Sequence, residues 1–379
     1  MKIEYLDDDK RIQEICGMYW ALDGNGEFTY KVTGIAKIFN TTSNDITKKV
    51  KLFCHALSTK KYCHGCGTPY IYQNRQDYSS HNQANYDEWE CDHCKQEEFR
   101  LHNEDKQLRL NHNFELASKS SFTIDSLSFK DAVYLLSIIR YLASEDLMHI
   151  NPYASNQNGL LSPSREYDID IFKHLSKNNL AIVSPSSDLN AIVINSDSGF
   201  SYYITQVKWE IPIDFDTYDN LSNFIRQLEE KLKLKEWLDS WNEDTGDLCR
   251  EISLQESLAY LQYVMSDHQF DFSPGDKTIL VINKVLDKYS VSQLYNLMWG
   301  SAKDAAAYYM RGGISKQQAV NSVVGRIESK FERAIANKWE TKPFNRNFKL
   351  PISVISQVLY NTILQTDDGG FHKPLHQII

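Results

Sequence analysis

Apolar residues near the start of the chain fall into a helical rhythm. In residues 30–61, YKVTGIAKIFNTTSNDITKKVKLFCHALSTKK, Ile35, Ala36, Ile38 and Phe39 mark one short apolar helix. Ile46, Val50 and Phe53 then recur at i, i+4 and i+7 as the buried stripe of a second. Asn40, Thr41 and Thr42 supply the turn between them, and Thr42 with Asp45 has the spacing of a helix-capping pair. The opposite face of the second helix offers Asn44, Thr47, Lys48 and Lys51, with Lys49 at its edge. A short helix, a tight turn and a second helix with polar and basic exposure predict a helix-turn-helix domain over residues 1–58.

Further along, SFKDAVYLLSIIRYLAS at 128–144 is apolar over too broad an arc for a surface helix and predicts a core helix. A loop rich in Asn, Ser and Pro follows. Next come a helix in residues 168–180, a strand at 181–184, a turn at 186–190 and a second strand at 191–195. Helix followed by hairpin is the order of a winged helix, so residues 119–215 are expected to be mixed α/β with a central winged helix as one form of it. Tyr203, Thr205, Val207 and Trp209 alternate along 200–213 and predict one more strand. Beyond Tyr218 the pattern is helical at 218–241, 253–265 and 277–288. A helix from Val291 ends at Arg311-Gly312-Gly313, another opens on the capping box of Ser315 and Gln318, and a last one has Pro351 near its first turn. Residues 216–379 are therefore expected to be a helical domain, and the fold class is α+β, predominantly helical.

Two cysteine pairs interrupt this pattern: Cys63 and Cys66 in YCHGCGTPY, and Cys91 and Cys94 in ECDHCK. Two thiolates separated by two residues on a tight turn can reach one ion, and a second such turn completes the tetrahedral four-thiolate shell that Zn2+ accepts. Gly65, Gly67 and Asp92 suit the knuckles. Residues 59–118 are expected to form a zinc ribbon, with extended chain at Tyr70–Tyr72 leaving the first pair and at Tyr86, Trp89 and Glu90 entering the second. His64 and His93 inside the knuckles leave a mixed Cys/His site open, and four thiolates also suit an iron–sulfur cluster. A redox CxxC fits less well, because that chemistry uses one pair. Four thiolates leave no open position for water, so the metal is expected to be structural. Of the seven cysteines, the other three, Cys16, Cys54 and Cys249, read as small buried residues.

At 379 residues the chain is long for a single core, and 42% hydrophobic with 24% charged residues is ordinary for a folded protein. No apolar run approaches the roughly 20 residues that cross a bilayer, and the acidic start MKIEYLDDDKRIQEIC lacks the features of a secretory leader. A cytoplasmic protein that does not enter a membrane is the expectation.

The net charge of −9 argues against a generally nucleic-acid-binding surface. Locally the balance reverses: residues 30–61 hold seven lysines, Lys31, Lys37, Lys48, Lys49, Lys51, Lys60 and Lys61, against the single acid Asp45. Asn44, Thr47, Lys48 and Lys51 are expected to meet a DNA groove or its phosphates, with Lys60 and Lys61 as backbone anchors. The plain alternative is a solvated helical hairpin.

Phosphate loops, GxSxG elbows, HExxH helices and kinase signatures are absent from the sequence. The acids Glu166, Asp168 and Asp170 share their stretch with Ile169, Ile171 and Phe172, which read as core. No catalytic residue is assigned. The sequence thus predicts a non-enzymatic, zinc-stabilised DNA-binding protein, a regulator or the recognition subunit of a mobile-element or phage-defence (antiviral) system. Its C-terminal domain would serve a protein partner or self-association. One rival is a protein-interaction or sensor module with purely structural zinc, anchored by Trp299, Tyr308 and Tyr309. Another is a metal-dependent hydrolase whose site is assembled from distant residues. The order of helix-turn-helix and ribbon is similar in outline to transposition target-selection proteins. No diagnostic motif accompanies that outline, and no residue role is carried across.

Overall fold

The computed structural model of the protein describes residues 1–379 except 82–88, 157, 196–198, 235–236, 238 and 379. The chain divides into two compact units, residues 1–105 and 106–379, each with its own apolar core.

The first unit runs β1 (Lys2–Tyr5), α1 (Lys10–Trp20), α2 (Val32–Ile38), α3 (Ser43–Phe53), β2 (Cys54–Tyr62), β3 (Pro69–Tyr72) and α4 (Arg75–His81). Its core is Ile15, Cys16, Tyr19 and Trp20 from α1, Ile35 and Ala36 from α2, and Ile46 and Val50 from α3. Of the positions that the helical spacing marked, Ile35, Ala36, Phe39, Ile46 and Val50 are buried, whereas Phe53 is half-buried and Ile38 is exposed. Between α2 and α3 the chain turns through Asn40 at φ 50°, a left-handed conformation that asparagine tolerates. Thr42 then caps α3, its hydroxyl accepting from the Asp45 amide at 3.1 Å, while Thr41 donates to the Asp45 carboxylate at 2.6 Å.

α3 leads without a loop into β2, which pairs antiparallel with both β1 and β3, Ala56 lying opposite Ile3 on one side and Tyr72 on the other. The hairpin β2–β3 therefore follows α3 directly, and its tip is the first cysteine knuckle. Behind it Arg75 donates to the carbonyls of Tyr19 and Tyr30, at 2.8 and 2.6 Å, with its guanidinium over the rings of Tyr19 and Phe28. One side chain thus joins α4 to α1 and to the chain entering α2.

Helix α5 (Asp92–Ser118) leads the chain from the first unit into the second. The highly charged stretch 95–118, expected to end in a domain boundary, is helical throughout. The second unit continues with α6 (Phe129–Leu142), α7 (Arg165–Lys177), β4 (Ile182–Val183), β5 (Ile192–Ile194), β6 (Phe200–Tyr202) and β7 (Trp209–Glu210). Then follow α8 (Phe215–Tyr218), α9 (Leu221–Lys233), α10 (Asp239–Asp267), α11 (Asp276–Leu286), α12 (Val291–Met310), α13 (Lys316–Ala336) and α14 (Val354–Ser356), the last continued by a π-helical turn at Gln357–Ile363.

α6 is buried along most of its length, as its breadth of apolar residues required. Trp241 of α10 is fully buried and donates its indole N–H to the Leu127 carbonyl at 2.7 Å. Both capping boxes at Ser290 and Ser315 form, the second being the one read from the sequence. α12 ends at Arg311, followed by Gly312 and Gly313 at φ 78° and 89°.

The strands at 181–184 and 191–195 do not form the expected hairpin. β4 pairs with β7, and β5 pairs with β6. The segment 200–213 is correspondingly two short strands rather than one. Burial of Trp209, whose ring stacks on Phe172 at 5.7 Å, explains the choice: pairing β7 with β4 brings that indole under α7. No helix among the described residues is long and apolar enough to cross a membrane.

Candidate metal centre and basic helix

The first pair of cysteines sits where β2 turns into β3. Cys63 donates its amide to the Thr68 carbonyl and accepts from the Gly67 amide, both at 2.8 Å, which closes the knuckle. Gly67 has φ 73°, a conformation that favours glycine. Gly65 is required for space: a Cβ there would lie 3.1 Å from the sulfur of Cys94.

The second pair is placed differently from the expected strand. Cys91 directly precedes α5, and Cys94 lies in its first turn, with the Lys95 amide bonded to the Cys91 carbonyl. The Cys91 sulfur accepts from the Cys94 amide at 3.4 Å, so a thiol occupies the place of a capping oxygen. Tyr86, expected to lead into this pair along a strand, lies outside the described residues, while Trp89 and Glu90 are irregular chain.

The four sulfurs all lie within 4.8 Å of one another, and none is in a disulfide. Cys66 and Cys91 sulfurs are 3.6 Å apart. The Cys91 amide points at the Cys63 sulfur and, with the Gly65 and Cys66 amides, holds that thiol's pKa down to about 6. The Thr68 hydroxyl, 3.0 Å from the Cys66 sulfur, lowers that thiol as well. Cys94 moves the other way, its proton held by Cys66, Cys63 and Cys91. Four thiols gathered this closely resist full ionisation unless a cation joins them. The donor set therefore fits a metal ion, and an all-sulfur shell of four is compatible with zinc. His64 and His93 are exposed; His64 directs Nδ1 to the Trp89 carbonyl at 3.3 Å. Among the described residues no other grouping of three or more Cys, His, Asp or Glu donors is placed to hold a metal.

On α3, Asn44, Thr47, Lys48 and Lys51 are all exposed, opposite buried Ile46 and Val50. Lys49 pairs with Asp45 at 3.1 Å, and the Thr47 hydroxyl donates back to the Ser43 carbonyl at 2.9 Å. Lys60 is exposed on β2. Lys61 differs from expectation: it is 7% exposed, with its ammonium 3.9 Å from the centre of the Tyr70 ring and 5.5 Å from that of Trp89. The alternation that buries Cys54, Ala56 and Ser58 would turn Lys60 inward, but the register of β2 against β3 shifts between Leu57 and Tyr62 and Lys61 takes the inner position, where burial lowers its pKa against the raising influence of Asp77. It packs the hairpin instead of facing solvent. That aromatic pocket was legible only in hindsight, from Tyr70 and Trp89 flanking the two knuckles.

Glu166, Asp168 and Asp170 do not converge. Asp168 is buried and accepts from the Tyr153 hydroxyl at 2.6 Å, while Asp170 pairs with exposed Lys173 at 3.6 Å. Trp299, Tyr308 and Tyr309 are 42, 44 and 40% exposed, and neighbouring Met310 is 85% exposed. Comparison of the chain with family models, with curated proteins and with solved structures finds no match.

Proposed function

We propose that the first unit binds duplex DNA, with α2 and α3 acting as a helix-turn-helix, the β2–β3 hairpin as an adjoining wing, and zinc as the ion held by Cys63, Cys66, Cys91 and Cys94. The observation that carries this reading is the outward face of α3, where Asn44, Thr47, Lys48 and Lys51 stand together without burial. Such a face suits the major groove, and its lysines suit phosphate. Lys60 contributes a backbone contact from β2, while buried Lys61 keeps the hairpin in shape. The zinc takes no part in chemistry; it joins the hairpin tip to the start of α5. A regulator or the recognition subunit of a mobile-element or phage-defence assembly would use such a unit, with the second unit serving a protein partner.

Fluorescence anisotropy of a labelled duplex across a salt series tests this. The double variant Lys48→Ala/Lys51→Ala is expected to weaken binding and to reduce the slope of log K against log salt by about 0.9 for each phosphate that is no longer neutralised. Unchanged affinity and slope would remove α3 from the interface.

A second reading is favoured by the exposed Trp299, Tyr308, Tyr309 and Met310. These are the residue types that anchor protein contacts, and a stable oligomer indifferent to DNA in light scattering would support it over the first.

A further inference from the structure

The second unit contains a cleft of about 620 Å³ lined by the end of α5, the turn at 146–150, the edge of the β4–β7 pair and the start of α9. Its inner lining is apolar, with Ile150, Ile182, Ile211 and Ile213 all buried. Met148 and Phe215 also line it, yet they are 72 and 60% exposed. The turn that carries Met148 is firmly held: Leu147 adopts φ 56°, the Ser144 amide donates to the His149 carbonyl at 2.9 Å, and the Ser144 hydroxyl accepts from the His149 amide at 3.2 Å. A leucine held in the left-handed region signals a turn fixed by its surroundings.

The same lining carries four carboxylates, Asp146, Glu210, Asp214 and Asp216, and neither Lys nor Arg. Among the described residues none of the four is in an ion pair. Neutral partners orient three of them: Ser144 donates to Asp146 at 2.6 Å, Ser184 to Glu210 at 2.5 Å, and Asp214 caps α8. Such hydrogen bonds fix the carboxylates without cancelling their charge.

An apolar cleft of this size matches the usual range of binding sites, and exposed Met and Phe at its mouth are typical anchor contacts. The charge decides what fits. A nucleic acid would be repelled by four carboxylates, and a purely apolar ligand would leave them unanswered. We infer that this cleft docks a segment of a partner protein in which one or two large apolar side chains are flanked by Lys or Arg. The apolar side chains enter among the isoleucines, between Met148 and Phe215, and the cations meet the carboxylates.

The test uses the full chain and a fluorescein-labelled decapeptide of Lys, Leu and Phe, with a control in which every Lys is Glu. The basic peptide is expected to bind saturably and to weaken with salt, and the acidic one is not expected to bind. Phe215→Ser/Asp216→Lys and, from a separate segment, Met148→Glu should each weaken binding at least tenfold, with the thermal unfolding profile unchanged. Phe348→Ser, at an exposed site away from the cleft lining, should leave binding as it was. Absence of saturable binding, equal binding by both peptides, or no response to the two cleft variants would each overturn the inference. Displacement by spermidine at the peptide's own concentration would also overturn it, by assigning the cleft to small cations.

Discussion

The backbone amide of Cys91 lies 3.4 Å from the sulfur of Cys63, 28 residues earlier in the chain. A hydrogen bond thus runs between the hairpin tip and the approach to α5, in the place where a metal would also join them. The three-helix core of α1, α2 and α3 includes none of these four cysteines. Folding of that core is therefore expected to survive loss of the metal.

Replacement Cys91→Ser is expected to abolish stoichiometric metal, read by mass spectrometry of the purified chain. Apparent binding energies of structural zinc are of order 10 kcal/mol, so its loss should strip hydrogen-exchange protection from residues 62–70 and from the first turns of α5. Protection of α1 and α3 should persist. Gly65→Ala is the finer probe: its Cβ would meet the Cys94 sulfur at 3.1 Å, and metal affinity should fall by about tenfold. Full protection of the hairpin tip in metal-free Cys91→Ser would show that the ion does not hold it.

Lys61 and its neighbour Lys60 should separate cleanly. Lys61→Ala removes both the cation over Tyr70 and the buried stem, and is expected to cost about 1–3 kcal/mol in urea unfolding. Lys61→Met keeps the stem and should cost less. Neither should alter the salt dependence of DNA binding, whereas Lys60→Ala should reduce its slope. A reduced slope in folded Lys61→Met would place that ammonium at the phosphate backbone.

These contrasts mark what local pattern conveys. The buried faces of α2 and α3 were legible because each helix has one core side, which imposes a helical period on its apolar residues, and α6 because its apolar residues run too far round for any but a buried helix. Helix α5 has no such side over most of its length: Phe99, Leu101, Leu108 and Leu116 are exposed and only Leu110 is buried. A helix that packs so little leaves no stripe to read. Its signal was composition, rich in Glu, Lys, Gln, Leu and Arg, together with Asp92 in its first turn. The cysteine spacing conveyed the metal donors because it is local chemistry. The pairing of β4 with β7 was not legible, since Val183 meets Trp209 through a choice made by the core and not by either strand.

Arg346 holds the extended segment after α13 to the body of the second unit. Its guanidinium donates to buried Glu256 at 2.9 Å and to the Asp368 carbonyl at 3.1 Å, and lies 4.3 Å from the centre of the Phe371 ring. Arg346→Ala would leave Glu256 buried without its cation, and should cost about 3–5 kcal/mol in urea unfolding. Adding Glu256→Gln should recover part of that loss, because the buried charge goes with it. If the double variant is as unstable as the sum of the two single ones, the pair does not act as a unit.

Asp168 offers a pH signature of a different kind. Its side chain is buried, Tyr153 donates to one oxygen, and the other oxygen has no hydrogen-bond partner among the described residues. Burial raises its pKa above the ordinary 3.8, an effect only partly opposed by its polar neighbours Ser162 and Tyr153. Between 3.8 and the raised value, the folded chain therefore holds a proton that the unfolded chain has released. The contribution of Asp168 to stability is greatest below that window and is lost as pH rises through it. Asp168→Asn stays neutral throughout, and its amide can still accept from Tyr153 while burying an unsatisfied N–H at a cost that does not vary with pH. The stability of the variant relative to the natural chain should therefore improve from acid toward neutral pH, by about 1.4 kcal/mol for each pH unit by which the pKa is raised. Urea midpoints measured across that range check the slope. A difference that stays constant would mean that folding leaves the pKa where it was, and one that shrinks toward acid would mean that the carboxylate is stabilised as an anion where it lies.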